Sequence, residues 1–269
     1  MTQLSDDVVR DISTGFDPDP ARSMSLGADA YLQQSWLEAE QAAVFSRTWQ
    51  WVCHVESVRE PGSYVTATVA GMPIVVTRAK DGVLRAFYNV CSHRAHELLT
   101  GSGTVRNMVC PYHAWTFDLT GELKAARRAD GMEGFDKSEF CLTSVQVEVF
   151  GGFVYVNLSA AGATLGGNFN ANLDQFDRWP LEQLVVGHRQ TKRIRCNWKV
   201  FWENYNECLH CPVVHPGLVD AVPIYRRGIM ESRDDPDWRR HEHLVDPLYR
   251  GGMKQGSVTW TTDGRSLGY

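Results

Sequence analysis

The sequence lacks any apolar run approaching the roughly 20 residues that span a bilayer, and its 269 residues contain no Lys- or Arg-rich face or tail. With 27 Lys and Arg against 32 Asp and Glu, and a net charge of -5, it is a poor match for nucleic acid or an anionic membrane. Its start, MTQLSDDVVRDISTGFDPDP, has no basic stretch followed by an apolar one, so no secretion signal is read there and a cytoplasmic location is expected. Internal repeats and low-complexity tracts are absent as well. So is G-x-G-x-x-G: Gly101-Ser-Gly103 runs on to Arg106 where a third glycine would stand, so no nucleotide or flavin fingerprint is present.

What is there is the balance of a globular chain, 43% hydrophobic and 22% charged, with length for one large domain or two ordinary ones. Seven cysteines (Cys53, Cys91, Cys110, Cys141, Cys196, Cys208 and Cys211) are an odd number, which favours metal ligation and free thiols over a disulfide framework.

Residues 1–30 read as an irregular lead-in punctuated by Pro18, Pro20 and Gly27. A helix is predicted from Ser35 to near Trp51, with Ser35 and Glu38 as a capping box and Leu37, Val44 and Phe45 as its apolar face. From Pro61 to Leu158 the texture is that of short strands: Ser63–Val69, Pro73–Thr77, Val83–Asn89, Val105–Val109, Ala114–Asp118, Val145–Val149 and Phe153–Leu158. Asp81-Gly82 and Thr120-Gly121 mark hairpin turns. After a Gly/Ala/Asn-rich stretch, Ala160–Asn172, a helix is predicted over Cys196–Cys211, stopped by Pro212 and Pro216, with a strand at Ser257–Thr261 in the tail. The predicted class is α+β.

Two short motifs carry chemistry. Cys91-Ser-His93 and Cys110-Pro-Tyr-His113 are mixed Cys/His pairs separated by 16 residues, each at a predicted strand end. Loops of that kind present two ligands each to one inorganic centre. Two thiolates on one iron and two imidazoles on the other is the Rieske [2Fe–2S] arrangement, whose potential of roughly −150 to +300 mV lies above that of all-cysteine plant ferredoxins. The alternative is a Cys2His2 zinc site, although zinc sites usually pair like ligands, C-x2–4-C with H-x3–5-H.

Downstream, NWKVFWENYNECLHCPVVHPG contains Glu207 and His210 three apart, which on a helix share a face, and His215 five beyond His210, about 140° away on a straight helix. A helix break at Pro212 would let His215 swing back. Two imidazoles and a carboxylate form the facial triad of non-haem Fe(II) oxygenases. A surface helix with two histidines is the alternative reading.

Together the motifs resemble the Rieske non-haem iron oxygenases, large (alpha) subunit. Cys91, His93, Arg94, Cys110, Pro111, Tyr112, His113, Trp115 and Gly121 carry the first half of the resemblance, and E-x-x-H-x4-H the second, over about residues 31–269. By that resemblance Cys91 and Cys110 bind one cluster iron and His93 and His113 the other. His210 and His215 bind a mononuclear Fe(II), and Glu207 is the catalytic carboxylate bridging to a neighbouring subunit's cluster. Glutamate there, in an E-C-x-H-C context, is more like the choline, glycine betaine and carnitine oxygenases than the ring-hydroxylating members with aspartate. Many members have glycine where this chain has Ala114.

The resemblance implies an antiparallel β Rieske domain over residues 46–160 and an α+β catalytic domain with a central antiparallel sheet over 161–269. An N-terminal segment, 1–45, is expected to pack on the latter. It implies O2-dependent hydroxylation or oxidative demethylation of a small organic substrate, quaternary or methylated amines first and aromatic compounds second. Electrons would come from NAD(P)H through a separate reductase, with or without a ferredoxin, in a trimer or a multiple of one. A Rieske electron carrier without oxygenase activity is the alternative, to which residues 197–217 would be superfluous. His96 is expected to pack or hydrogen-bond rather than ligate, Asn204 to lie near the iron or be a plain helix-face amide, and Cys208 and Cys211 to pack. The family's third iron ligand is a carboxylate well downstream, and the chain runs only 54 residues past His215. Asp220, Asp234, Asp235, Asp237, Asp246 and Asp263 stand in no matching motif, so a large subunit without its C-terminal region is expected.

Overall fold

The computed structural model describes residues 15–19, 21–129, 131–159, 164–168, 179–207, 209–221 and 225. The chain divides into two compact units, Met1–Thr191 and Lys192–Tyr269. Among the described residues no helix is long and apolar enough to cross a membrane.

Among the described residues the first unit begins with two short helices, α1 (Asp29–Leu32) and α2 (Gln34–Glu40), and a π-helical turn, Gln41–Phe45. Ten strands follow: β1 (Gln50–His54), β2 (Ser63–Val69), β3 (Met72–Arg78), β4 (Leu84–Tyr88), β5 (Ser102–Thr104), β6 (Met108–Val109), β7 (Thr116–Phe117), β8 (Leu123–Ala125), β9 (Ser144–Phe150) and β10 (Phe153–Asn157). They form a seven-stranded sheet in the order β1-β10-β9-β4-β3-β2-β5 and a three-stranded sheet β6-β7-β8, antiparallel throughout.

The predicted strands hold to within a few residues, apart from two losses: Val105–Val109 shrinks to β6 and Ala114–Asp118 to β7, because the backbone on either side bends into loops. The helix predicted from Ser35 to Trp51 is corrected. It stops at Phe45, Gln33 caps it without a side-chain bond, and Gln50–His54 instead pairs with Phe153–Val156. That pairing supplies hydrogen bonds from a strand about a hundred residues away, and tertiary pairing of this kind overrides local helical pattern.

Strand β3 organises this unit. Ile74, Val75, Val76 and Thr77 are all fully buried, so both faces of the strand are covered. By the two-residue period of a strand, Ile74 and Val76 face one core with Cys53, Val58, Val154 and Val156. Val75 faces the other, with Phe87, Met108, Trp115, Phe117 and both Cys91 and Cys110. The small sheet lies over this second core, so the tips of its loops rest on packed apolar side chains.

The β2–β3 turn uses Ala70 and Gly71 at φ 49° and 78°, the two positive values of a tight hairpin. At the β7–β8 turn Gly121 has φ 90°, and a Cβ there would overlap the Phe87 ring. Gly121→Ala is therefore expected to cost about 3 kcal/mol in guanidinium unfolding, the sum of backbone strain and overpacking. A loss below about 1 kcal/mol would contradict this packing.

Candidate metal centres

Two loops reach over the second core, one leaving β4 and one joining β6 to β7, and they are built alike. In the first, Cys91 N–H donates to His96 O (2.8 Å) and Ala95 N–H to Cys91 O (2.8 Å). In the second, Cys110 N–H donates to Trp115 O (2.8 Å) and Ala114 N–H to Cys110 O (2.9 Å). Each cysteine thus starts a turn closed by an alanine four residues on, and both alanines sit in the left-handed region, Ala95 at φ 54° and Ala114 at φ 60°. Asn89, fully buried, pins the first loop: its Nδ2 donates to Leu99 O (2.7 Å) and Glu97 Oε1 (3.0 Å), and its Oδ1 accepts from Leu99 N–H (3.1 Å).

The predicted donors come together as two pairs, the cysteines in one apolar cluster and the histidines ring against ring. Cys91 and Cys110 are buried among apolar side chains, while His93 and His113 are half-buried with ring centroids 4.8 Å apart. The Nδ1 atoms of both histidines are buried without a hydrogen-bond partner. An unpaired buried nitrogen costs roughly 1–3 kcal/mol, and its presence in two facing side chains fits a pair of metal ligands. Burial pushes the Cys91 thiol up, so a thiolate there needs a bound cation, which would deprotonate it. Burial, then the neighbouring His93 and Arg94, hold His113 low, which favours the neutral, lone-pair form. Among the described residues no three His, Cys, Asp or Glu side chains converge on one ion position.

His93 stacks on Trp115, with centroids 4.7 Å apart and planes 9° from parallel. His113 meets the more exposed Tyr112 at 3.8 Å. His96 faces outward, its Nδ1 2.6 Å from Glu97 O. An open groove of about 660 Å³ passes the two imidazoles, bordered by Tyr112, Arg127, Arg128 and Met132.

In the second unit, α4 is helix Trp198–Asn206 if the short helix Leu165–Asn168 of the first unit is α3; α5 is Cys211–Val214 and α6 is Pro216–Ala221. Asn197 caps α4, its Oδ1 accepting from Lys199 N–H (3.0 Å). The predicted helix through Cys211 is corrected, because Glu207 is already extended at φ −123°, ψ 157°. Pro212 and Pro216 do not stop helices. They stand in the first turns of α5 and α6, where a missing N–H is harmless. Glu207 and His210 therefore do not meet through a shared helix face. They meet across the kink, with Glu207 Oε1 2.5 Å from His210 Nδ1 and Oε2 accepting from Leu209 N–H.

The bond to His210 holds the Glu207 carboxyl below its usual range. A carboxylate only accepts, so in the neutral imidazole of His210 the proton sits on Nδ1 and Nε2 keeps its lone pair. His215 lies between α5 and α6 with its ring 5.2 Å from that of His210. These groups line a cavity of about 280 Å³ together with Asn204, Tyr205, Leu218 and Tyr225. Cys211 is buried against Val219. Cys208, the five aspartates from Asp234 to Asp263 and the strand predicted at Ser257–Thr261 lie outside the described residues, and those described in this unit form helices and loops. Asp220 is on α6.

Comparison with known proteins gives the class. Residues 48–136 match the model of the Rieske [2Fe–2S] domain, and residues 181–266 that of the ring-hydroxylating alpha subunit catalytic domain. The chain belongs to the Rieske non-haem iron oxygenases, large (alpha) subunit. It is 39% identical over 197 residues to the carnitine monooxygenase oxygenase subunit of Acinetobacter baumannii, covering 72% of this chain and 53% of that protein. The Escherichia coli counterpart is 36% identical over 84% of this chain and 61% of its own length. The Pseudomonas aeruginosa glycine betaine monooxygenase oxygenase subunit is 31% identical over 80% and 53%. A crystal structure of the quaternary ammonium Rieske monooxygenase CntA superposes with a TM-score of 0.69 at 39% identity, over 72% of this chain and 55% of that one. The chain thus spans about half the length of these relatives.

The sequence reading missed Asn89, the matched Ala95 and Ala114, and the Trp115 stack. The spacing shared by CSHRAH and CPYHAW, Cys then Ala four later, was the available signal. Ala114 φ also accounts for glycine in other family members. The left-handed penalty for alanine, roughly 1–2 kcal/mol, exceeds glycine's extra chain entropy, roughly 0.5–1 kcal/mol. Ala114→Gly is expected to raise stability by about 0.5 kcal/mol in denaturant titration; a clear loss would contradict the loop conformation.

Proposed function

We propose that this chain acts as the oxygenase subunit of a Rieske monooxygenase for quaternary or methylated ammonium compounds. The observation that carries the reading is the pair of unpartnered, buried Nδ1 atoms of His93 and His113 beside two core cysteines. Residues 46–160 would form the cluster domain and 161–269 the catalytic-domain sequence. Cys91 and Cys110 would hold one iron of a [2Fe–2S] cluster, His93 and His113 the other, and His210 and His215 a mononuclear Fe(II). A carboxylate from outside the described residues would complete that Fe(II) set. When bound, the cluster supplies single electrons and the Fe(II) supplies open positions for dioxygen.

The chain's own residues account for the rest. The cysteines lie in the core and the imidazoles line the groove, so a cluster held by these residues would exchange electrons at its histidine edge. Glu207 accepts a hydrogen bond from His210 Nδ1–H, which favours the tautomer that would present Nε2 to a metal. Its second role would be to bridge to a neighbouring subunit's cluster, as the family resemblance implies. Tyr205, Tyr225 and the Glu207 carboxylate line the cavity with aromatic faces and negative charge, which suits a quaternary ammonium group. CntA is described as binding L-carnitine and gamma-butyrobetaine and as transferring electrons between subunits. By the same reasoning the partners would be an NAD(P)H-dependent reductase, with or without a ferredoxin, and further copies of the chain in a trimer or a multiple of one, in the cytoplasm.

Single-turnover oxidation of the reduced cluster in air tests the substrate class. L-carnitine or glycine betaine should accelerate it and naphthalene should not; the reverse would overturn the assignment. His210→Ala should remove the mononuclear iron and oxygenation while cluster absorption stays at the wild-type level. Loss of both signals together would contradict two separate centres.

A further inference from the structure

The two candidate imidazole ligands are held in different ways. His113 is covered by Tyr112, tilted 35° and 57% exposed. His93 lies flat on Trp115, 9° from parallel and 4.7 Å between centroids, and Trp115 is only 4% exposed. Trp115 is itself wedged by two edges: Phe140 at 5.5 Å and 82°, and Phe135 at 5.8 Å and 75°, with those two rings stacked on each other at 4.9 Å. Ser92 Oγ donates to Phe140 O (2.7 Å), tying the same aromatic layer to the residue next to His93. A metal-bound histidine is ordinarily oriented by a hydrogen bond to its second nitrogen. Here a buried aromatic ring also bears on the face of His93, whereas the ring against His113 is largely exposed.

We infer that Trp115 is a positioning residue that fixes the plane of the His93 imidazole, and that His113, against the exposed Tyr112, has no buried equivalent. The inference rests on the reading of His93 as a cluster ligand. Rotation of an imidazole about its iron–nitrogen bond changes the overlap of its ring with the iron, so the plane of His93 is read out by nitrogen hyperfine coupling and by the spread of g values. The flat stack restricts that rotation because any turn of the ring drives its edge into the indole, and the Phe135–Phe140 pair prevents the indole from yielding.

The test is pulsed paramagnetic resonance of the reduced, cluster-loaded protein, in which the two histidine 14N couplings are resolved. Trp115→Leu, at wild-type iron and sulfide content, is expected to shift one 14N coupling and the g spread while the other coupling stays. Trp115→Phe, which keeps an aromatic face, should restore most of the wild-type spectrum. Unchanged couplings in loaded Trp115→Leu, or an equal shift in both, would overturn the inference. If Trp115→Leu takes up no cluster, Phe140→Leu decides. It removes one edge supporting the indole without altering the loops, and should shift the same single coupling; an unaltered spectrum overturns the inference. A wild-type protein that loads a cluster but shows no histidine 14N coupling would instead reject His93 and His113 as ligands.

Discussion

The two cysteine side chains of the first centre are core residues. Cys91 and Cys110 pack in one apolar cluster with Val75, Phe87, Met108 and Phe117, so the loop tips cannot drift without opening the core beneath them. That constraint propagates in both directions. Beneath, it requires β3 to be apolar on both faces, since the strand separates this core from the one around Ile74 and Val154. Above, it sets the rings of both histidines at the edge of the open groove while their Nδ1 atoms stay buried. An inorganic unit held by these residues would have a buried, anionic half and a half able to exchange electrons. The polarity of the site is a consequence of where the core ends.

The second centre is held differently. Its two imidazoles and Glu207 sit at the breaks between three short helices, and their placement depends on where the helices stop. Glu207 in extended conformation turns its carboxylate onto His210, and Pro212 and Pro216 restart the chain so that His215 returns to the same cavity. Kinks, in place of a sheet core, define this geometry.

The candidate ligand pairs were legible in the residues, because the capacity to ligate a metal depends on side-chain type and short spacing. Cys-x-His and Cys-x-x-His announce mixed ligand pairs whatever the fold. Strand β2 could be read to the residue, since Ser63–Val69 is bounded by turn signals and needs no distant partner to look like a strand. Strand β1 could not, because Gln50–His54 is extended only through its pairing with β10. Pro212 was read as a stop when it is a start, since proline restricts the turn before it and favours the turn after it. The positive φ of Ala95 and Ala114 was hidden because alanine does not advertise that conformation as glycine does. The Trp115 stack joins residues from separate loops, and no local pattern encodes it.

Everything above the core depends on a sulfide-bridged pair of irons with unlike donors. The most direct measurement is acid-labile sulfide on protein purified anaerobically and supplied with iron and sulfide. The account predicts two sulfides per chain, as in any [2Fe–2S] unit, in a red-brown protein that becomes paramagnetic on one-electron reduction. A colourless protein that binds zinc at Cys91, His93, Cys110 and His113 and retains no labile sulfide would contradict it.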